Sequence, residues 1–308
     1  MNAAKPRRPL VALFAGLLLP GLGHVYNGEP AQGAALLVSV AMLMPSAAWL
    51  ALHVPRPWLS LVIVIGVMAS LSIYVCSVVA AYRTAARLRE GFSLGPWNRG
   101  YVYFVLFVFG YMGVLSPLAG YAKGNLLETF KVPSASMLPT IVPGDRFFAD
   151  KRVGRPGGVK IRRGAIAVFV YPNDRTTMYV KRIIGLPGDR IEIDGTRVKV
   201  NGVEIRHEEL HDLGDSQRLL ADHLAFREWG DGGGYTVLWH KDGKREQLAT
   251  VVPNGQVFVL GDNRDAAQDS RTFGTLPIAD VTAVARQVWF SMSAEDGVRW
   301  RRMGTLLD

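Results

Sequence analysis

The chain has 308 residues and a mass of 33.7 kDa, enough for one well-buried domain plus a smaller module. Its residues are 49% hydrophobic, its mean hydropathy is +0.15, and the apolar residues crowd into the first 122 positions, which is a membrane pattern. The formal charge of +9 is spread over membrane flanks, turns and strands without a long basic run, which argues against nucleic-acid binding; the single cysteine, Cys76, rules out an intrachain disulfide and a Cys-rich metal site.

In chain order, the first apolar stretch, 10–19, is interrupted by Pro20-Gly21-Leu22-Gly23. The segment 10–22 is too short to cross a bilayer and reads as re-entrant or interfacial. The stretches 34–54, 58–82 and 101–121 each have the roughly twenty apolar residues that a bilayer core demands, and none carries a charge. Cys76 lies in the second of them and reads as a small membrane-helix residue. Lys5, Arg7 and Arg8 precede the spans, and Arg83, Arg87, Arg89 and Arg99 follow the second, so both segments belong in the cytoplasm. Two crossings between them satisfy that parity if 10–22 does not cross, and the third span then exports everything after Lys123.

Beyond Lys123 the texture changes to short β-type runs at 165–171, 178–184, 190–204, 235–239, 256–260 and 281–292. Asp194-Gly195, Asn201-Gly202 and Asp242-Gly243 punctuate them as turn pairs. These features predict a mainly β domain of antiparallel strands over 123–308, behind an α-helical multi-span membrane module over 1–122. Only 210–226 reads as helical, and the Gly-rich piece 230–234 reads as an exposed loop.

Three stretches carry candidate chemistry. Directly after the last span comes Phe130-Lys131-Val132-Pro133-Ser134-Ala135-Ser136-Met137-Leu138-Pro139-Thr140, two serines two apart between prolines; by itself this is ordinary loop composition. In Tyr179-Val180-Lys181-Arg182-Ile183-Ile184 a lysine interrupts a half-buried strand, where it is either an edge gatekeeper or a base. A base must be neutral, and burial among Val180, Ile183 and Ile184 could lower its pKa; alternation along the strand turns Arg182 to the opposite face. The third stretch, Gly261-Asp262-Asn263-Arg264-Asp265-Ala266-Ala267-Gln268-Asp269-Ser270-Arg271, is dense in carboxylates and guanidinium groups.

In this order and behind a membrane span, the three stretches resemble the signature boxes of the bacterial type I signal peptidase (leader peptidase) family, whose members are Ser-Lys dyad serine proteases. Arg163-Gly164-Ala165-Ile166-Ala167-Val168-Phe169 matches a further box, and the resemblance runs over about 125–308, through Val288-Trp289-Phe290-Ser291 and Arg301-Arg302-Met303-Gly304. It implies a signal-peptidase/self-cleaving-repressor-like antiparallel β fold, with 190–254 as the extra β cap of the larger members. It further implies a membrane-bound endopeptidase that removes signal peptides from exported preproteins at the outer, periplasmic face of the bacterial cytoplasmic membrane.

By that resemblance Ser136 is the nucleophile, Lys181 the general base, and Ser134 a side-chain donor to the oxyanion hole beside the Ser136 N–H. Phe130, Val132, Met137 and Val180 match the shallow pockets that take small residues at the first and third positions before the cut. Asp269 and Arg271 match a bracing ion pair, and Asp262 with Arg264, together with Tyr179, Arg182 and Ser270, supports the site. No cofactor and no metal is required, and the partners are preprotein signal peptides and membrane lipid. One departure stands out: many Gram-negative members carry a serine where this chain has Ala267, leaving Ser270 or the backbone to orient the lysine amine. The multi-span N-terminus departs from the usual one or two anchors, and its 20–28 run faintly resembles a small two-helix membrane module.

Three rival readings follow from particular features. His207-Glu208-Glu209-Leu210-His211 satisfies the H-E-x-x-H zinc-protease pattern, which needs both imidazoles on one helical face, yet it follows a predicted strand. Ala267 and the unusual N-terminus also suit a lapsed homologue that binds exported chains without cutting them. A self-cleaving repressor would share the Ser-Lys pair, but the spans and the lack of a DNA-reading helix module oppose it.

Overall fold

The computed structural model describes residues 6–88, 92–244 and 247–307. Lys5 and Arg89, which enter the charge argument above, lie outside them. The chain divides into two compact units, Met1–Leu126 and Leu127–Asp308.

The first unit is helical: α1 (Pro9–Leu18), α2 (Leu22–Tyr26), α3 (Pro30–Ala51), α4 (Leu59–Arg87) and α5 (Gly100–Asn125), the last with a π-helical stretch over Phe109–Leu115. At 1.5 Å per residue α3, α4 and α5 reach about 33, 44 and 39 Å, each enough for a bilayer core of about 30 Å. Helix α1 reaches only about 15 Å. Its chain then turns at Gly21, whose φ of 84° and approach to Gly33 leave no room for a side chain: a Cβ there would lie 2.0 Å from the Gly33 carbonyl oxygen. The short α2 buries polar groups and satisfies them on its neighbours. His24 meets Glu29 Oε2 through Nδ1 at 2.9 Å and the Ser77 carbonyl oxygen through Nε2 at 3.2 Å, while Asn27 Nδ2 donates to the Ala81 carbonyl at 2.7 Å.

The second unit is built from antiparallel sheets. Its main sheet takes β1 (Leu127–Lys131), β2 (Asp145–Asp150), β3 (Ile166–Val170) and β4 (Met178–Gly185) from the first half of the unit. The run 190–251 supplies β5 (Arg190–Asp194), β6 (Arg197–Val200), β7 (Val203–Glu204), β8 (His207–Leu210), β9 (His223–Gly230), β10 (Gly233–His240) and β11 (Gln247–Val251). The chain then returns to the main sheet with β12 (Gln256–Leu260), β13 (Leu276–Pro277), β14 (Val281–Ser293) and β15 (Gly297–Val298). The order in that sheet is β1-β2-β14-β3-β4-β12-β13, with β15 on β14; the intervening strands form two small sheets, β11-β5-β6-β7 and β10-β9-β8.

Apolar patterning explains the layout. Ile166, Ala167, Val168 and Phe169 of β3 are all fully buried, as expected of a central strand covered on both faces, here between β14 and β4. Each such Ile or Phe contributes about 1.5–3 kcal/mol by leaving water. Asn201-Gly202 closes a two-residue hairpin between Val200 and Val203, both turn residues at positive φ (55° and 80°), the geometry that Asn-Gly favours.

One sequence expectation is corrected here. The stretch 210–226 is not an α-helix: it ends β8, passes through 3-10 turns over Gly214–Ala221 and enters β9, because Leu210 and Glu209 pair across to Ala225 and Phe226. The Gly-rich piece 230–234 is the exposed closure of the β9–β10 hairpin, with Gly233 opposite Gly230.

Candidate active site

The β1–β2 ladder continues one step past β1, with Val132 N–H donating to the Asp145 carbonyl and Gly144 N–H to the Val132 carbonyl. The loop 133–143 thus leaves and re-enters the sheet at one point, with Ser136 near its start. Buried Met137 and Ile141 anchor the loop in the core beside Phe147, Ile166 and Val168. Asp145, fully buried, accepts Val142 N–H at 3.0 Å and the Arg302 guanidinium at 2.6–3.1 Å, and Arg302 Nη2 also donates to the Thr140 carbonyl at 2.9 Å. On the opposite flank Asn263 donates its backbone N–H to the Ser136 carbonyl at 3.1 Å and its side-chain amide to the Ala135 carbonyl at 3.2 Å. Gly261 permits that approach, since a Cβ there would lie 2.7 Å from the Ser136 carbonyl oxygen and 2.2 Å from Ala267 Cβ.

Strand β4 brings Lys181 to this loop, opposite Ala167 of β3. Its side chain is 3% exposed, and Nζ lies 2.9 Å from Ser136 Oγ and 3.0 Å from the Val180 carbonyl oxygen, 5.2 Å from the centre of the Tyr179 ring. Burial lowers the Lys181 pKa to about 8, against the pull of the Asp269 and Asp262 carboxylates, which favour the charged amine. Ser134 Oγ stands 3.3 Å from Ser136 Oγ on the exposed side of the loop.

No hydroxyl stands at position 267, and among the described residues the Lys181 amine is hydrogen-bonded by Ser136 and by the backbone oxygen of Val180. Ser270 is engaged elsewhere, its Oγ accepting Val259 N–H at 2.9 Å.

Beside the two serines and the lysine runs a cleft of about 350 Å³, lined among others by Phe130, Val132, Met137, Val168, Tyr179 and Val180. Val132 and Met137 are buried, Phe130 and Val180 half-buried, so the floor is apolar. Tyr179 holds Gln268 across the cleft, its hydroxyl donating to Oε1 at 3.1 Å.

The ion pairs differ from the sequence expectation. Asp269 and Arg271 do pair, Nε to Oδ1 at 2.9 Å and Nη2 to Oδ2 at 2.8 Å. Asp262 and Arg264, however, take different partners: Asp262 binds Arg182, and Arg264 binds Glu228 at 2.5 Å. The register decides this, because β12 places Leu260 opposite Arg182, so the residue two beyond Leu260 meets that guanidinium. Five contributors had no role in the sequence reading of the site: Gly261, Asn263 and Arg302, which lay inside its quoted stretches, and Asp145 and Glu228, which lay outside them. Glu228 did leave a trace, as a carboxylate on the inward face that Phe226 marks in β9.

The family model described as "Signal peptidase, peptidase S26" matches residues 104–290. The chain belongs to this signal peptidase family. The match takes in the cleft, the Ser136 loop, β4 and the loop after β12, and leaves Arg302 and the first 103 residues outside. Signal peptidase I of Rickettsia conorii is 32% identical over 195 residues, covering 54% of this chain and 72% of its own length. Signal peptidase I of Buchnera aphidicola subsp. Baizongia pistaciae is 26% identical over 238 residues, covering 59% of this chain and 77% of its own length. A solved signal peptidase I from Enterococcus faecalis is 28% identical, covers 41% of this chain and 97% of its own, and superposes with a TM-score of 0.29.

The zinc pattern sits in a geometry unsuited to it. His207–Leu210 is strand β8, and an extended strand separates residues four apart by about 13 Å instead of stacking them on one helical face. Among the described residues no cluster of three or more His, Cys, Asp or Glu side chains is arranged to hold a metal.

Proposed function

We propose that this membrane-bound serine endopeptidase removes N-terminal signal peptides from exported preproteins, with Ser136 as nucleophile and Lys181 as general base. The observation that carries the reading is the 2.9 Å contact between a buried Lys181 amine and Ser136 Oγ at the end of an apolar cleft.

Neutral Lys181 takes the Ser136 proton as Oγ attacks the scissile carbonyl. The developing oxyanion is met by the Ser136 N–H and the Ser134 hydroxyl. Lys181 then returns its proton to the leaving amine, and the acyl-enzyme is hydrolysed by water that the same amine activates. The backbone oxygen of Val180 aims the amine in place of the hydroxyl absent at Ala267. Phe130, Val132, Met137 and Val180 select small residues at the first and third positions before the cut, because the cleft offers contact only to short side chains.

The membrane places this chemistry. Helices α3 and α4 form two crossings between the basic segments around Arg7 and Arg87, α1 stays within one leaflet, and α5 makes the third crossing. The catalytic unit 127–308 then lies on the periplasmic side of the bacterial inner membrane, where lipid holds both enzyme and the substrate's own apolar helix. Proteolysis of right-side-out and inverted vesicles tests this, since digestion of that unit only in inverted vesicles would reverse the topology.

The activity is tested by cleavage of a preprotein bearing an Ala-x-Ala site, using detergent-purified protein, Ser136→Ala, Lys181→Ala and wild type with a zinc chelator. Cutting at the site by wild type with or without chelator, and by neither variant, supports the Ser-Lys reading. An inactive wild type that still binds the preprotein points instead to a lapsed homologue.

A further inference from the structure

The cleft accounts for only one side of Ser136. The loop after β12, the ends of β9 and β10 and the residues after β10 line a second, open cavity of about 470 Å³. Two observations join it to the nucleophile. Asn263, in its wall, is hydrogen-bonded to the carbonyls of Ser136 and Ala135, and Ala266 lines both this cavity and the cleft. A chain held in the cleft by the residues before the scissile bond would continue past Ser136, and this cavity is the neighbouring space open to it.

The cavity wall is polar and basic. Lys244 and Arg271 contribute cations, Arg264 is buried at 1% exposure and paired with Glu228, and the His223 and His240 rings stand 5.3 Å apart. Among the described residues lining it, Asp265 is the one carboxylate, and its Oδ2 already accepts the His240 backbone N–H at 2.6 Å. Glu228 and Asp269, the carboxylates that pair with Arg264 and Arg271, are not part of the lining. The Asn263 Oδ1 is buried with no hydrogen-bond partner, a polar atom left over where the cavity adjoins the nucleophile loop. Lys244 stands exposed at the rim, the position from which a charge steers an incoming chain.

We propose that this cavity binds the first residues of the mature segment and favours an acidic side chain among them. The inference rests on the signal-peptide reading above and adds to it a specificity on the far side of the cut, with Lys244 as a determinant.

The test uses the full chain in detergent and preproteins identical through an Ala-x-Ala site, with Asp, Ala or Lys at the second, third or fourth position after the cut. The readout is the ratio of kcat/KM for the Asp and Lys substrates, compared between wild type and Lys244→Glu; a uniform loss of activity in the variant cancels in that ratio. Wild type is expected to prefer Asp by about fivefold at one or more positions, a preference that Lys244→Glu removes or inverts and that molar salt collapses. Equal ratios in wild type, or a ratio untouched by both Lys244→Glu and salt, overturns the proposal while cleavage of the Ala substrate leaves the signal-peptide reading standing. Failure of wild type to cut any of the substrates defeats that reading and this inference with it.

Discussion

Arg182 and Asp262 form a two-pronged ion pair entirely inside the catalytic unit: Nε meets Oδ1 at 2.8 Å, Nη2 meets Oδ2 at 2.7 Å, and the side chains are 0% and 1% exposed. Nη1 donates to the Gly164 carbonyl at 2.5 Å, the guanidinium lies 4.0 Å from the Tyr235 ring centre, and Thr140 donates its hydroxyl to the same carboxylate at 2.5 Å. The pair therefore ties β4, which carries Lys181, to the Ser136 loop through Thr140. Removing the carboxylate strands a buried cation, at a cost of about 3–5 kcal/mol. Asp262→Leu is expected to lower the apparent unfolding temperature by roughly 6–20 °C, and the double variant Arg182→Met/Asp262→Leu to recover much of it. A single variant as stable as wild type, followed by scanning calorimetry or fluorescence, would refute this role.

The proposed role of Lys181 as base sets the pH dependence. Only its neutral form accepts a proton, and burial has brought its pKa to about 8, so kcat/KM rises with pH through about 8 and levels off above. One unit below that value about a tenth of the lysine is neutral. Lys181→Arg, which cannot deprotonate, is expected to lose about 10²–10⁴-fold at every pH. A profile that falls between pH 7 and 9 in a stable protein contradicts a neutral lysine base.

At Gly261 a single methyl group acts on the proposed nucleophile. Its Cβ would stand 2.7 Å from the Ser136 carbonyl oxygen and 2.2 Å from Ala267 Cβ, so Gly261→Ala must displace the loop by a fraction of an ångström to an ångström. A loss of about 10²-fold in kcat is expected, with KM changed much less. Steady-state kinetics on a preprotein substrate separate the two, and an unaltered kcat rules out the contact as a constraint.

The zinc pattern is expected to be silent. His207→Ala and His211→Ala, singly or together, should leave cleavage by the folded protein within about twofold of wild type, since neither histidine lines the Ser136 cleft. Loss of activity restored by added zinc would reverse the assignment.

Legibility in the sequence tracked how local the cause was. The strand 256–260 could be read to the residue because Val257, Phe258, Val259 and Leu260 form an uninterrupted apolar run next to turn residues, and the Asn201-Gly202 hairpin because its backbone conformation is set by those two residues alone. Asp242-Gly243 looked equivalent and does lie at a turn, but its flanking strands pair elsewhere, β10 with β9 and β11 with β5. The leucines at 213, 219, 220 and 224 suggest a helix, yet β9 is held between β8 and β10, and cross-strand packing outweighs so weak a local preference.

The sequence by itself determined the three membrane-length helices, the change to β structure beyond Lys123, and the four boxes that mark the family, because each depends on residues that are near neighbours in the chain. Tertiary structure alone decided that Lys181 reaches Ser136 from 45 positions away, that Val180 supplies the oxygen Ala267 lacks, and that Asp262 and Arg264 choose Arg182 and Glu228. Those outcomes depend on the register between β4 and β12 and on which buried charges can find partners, and buried charges must be paired wherever in the chain the partner lies.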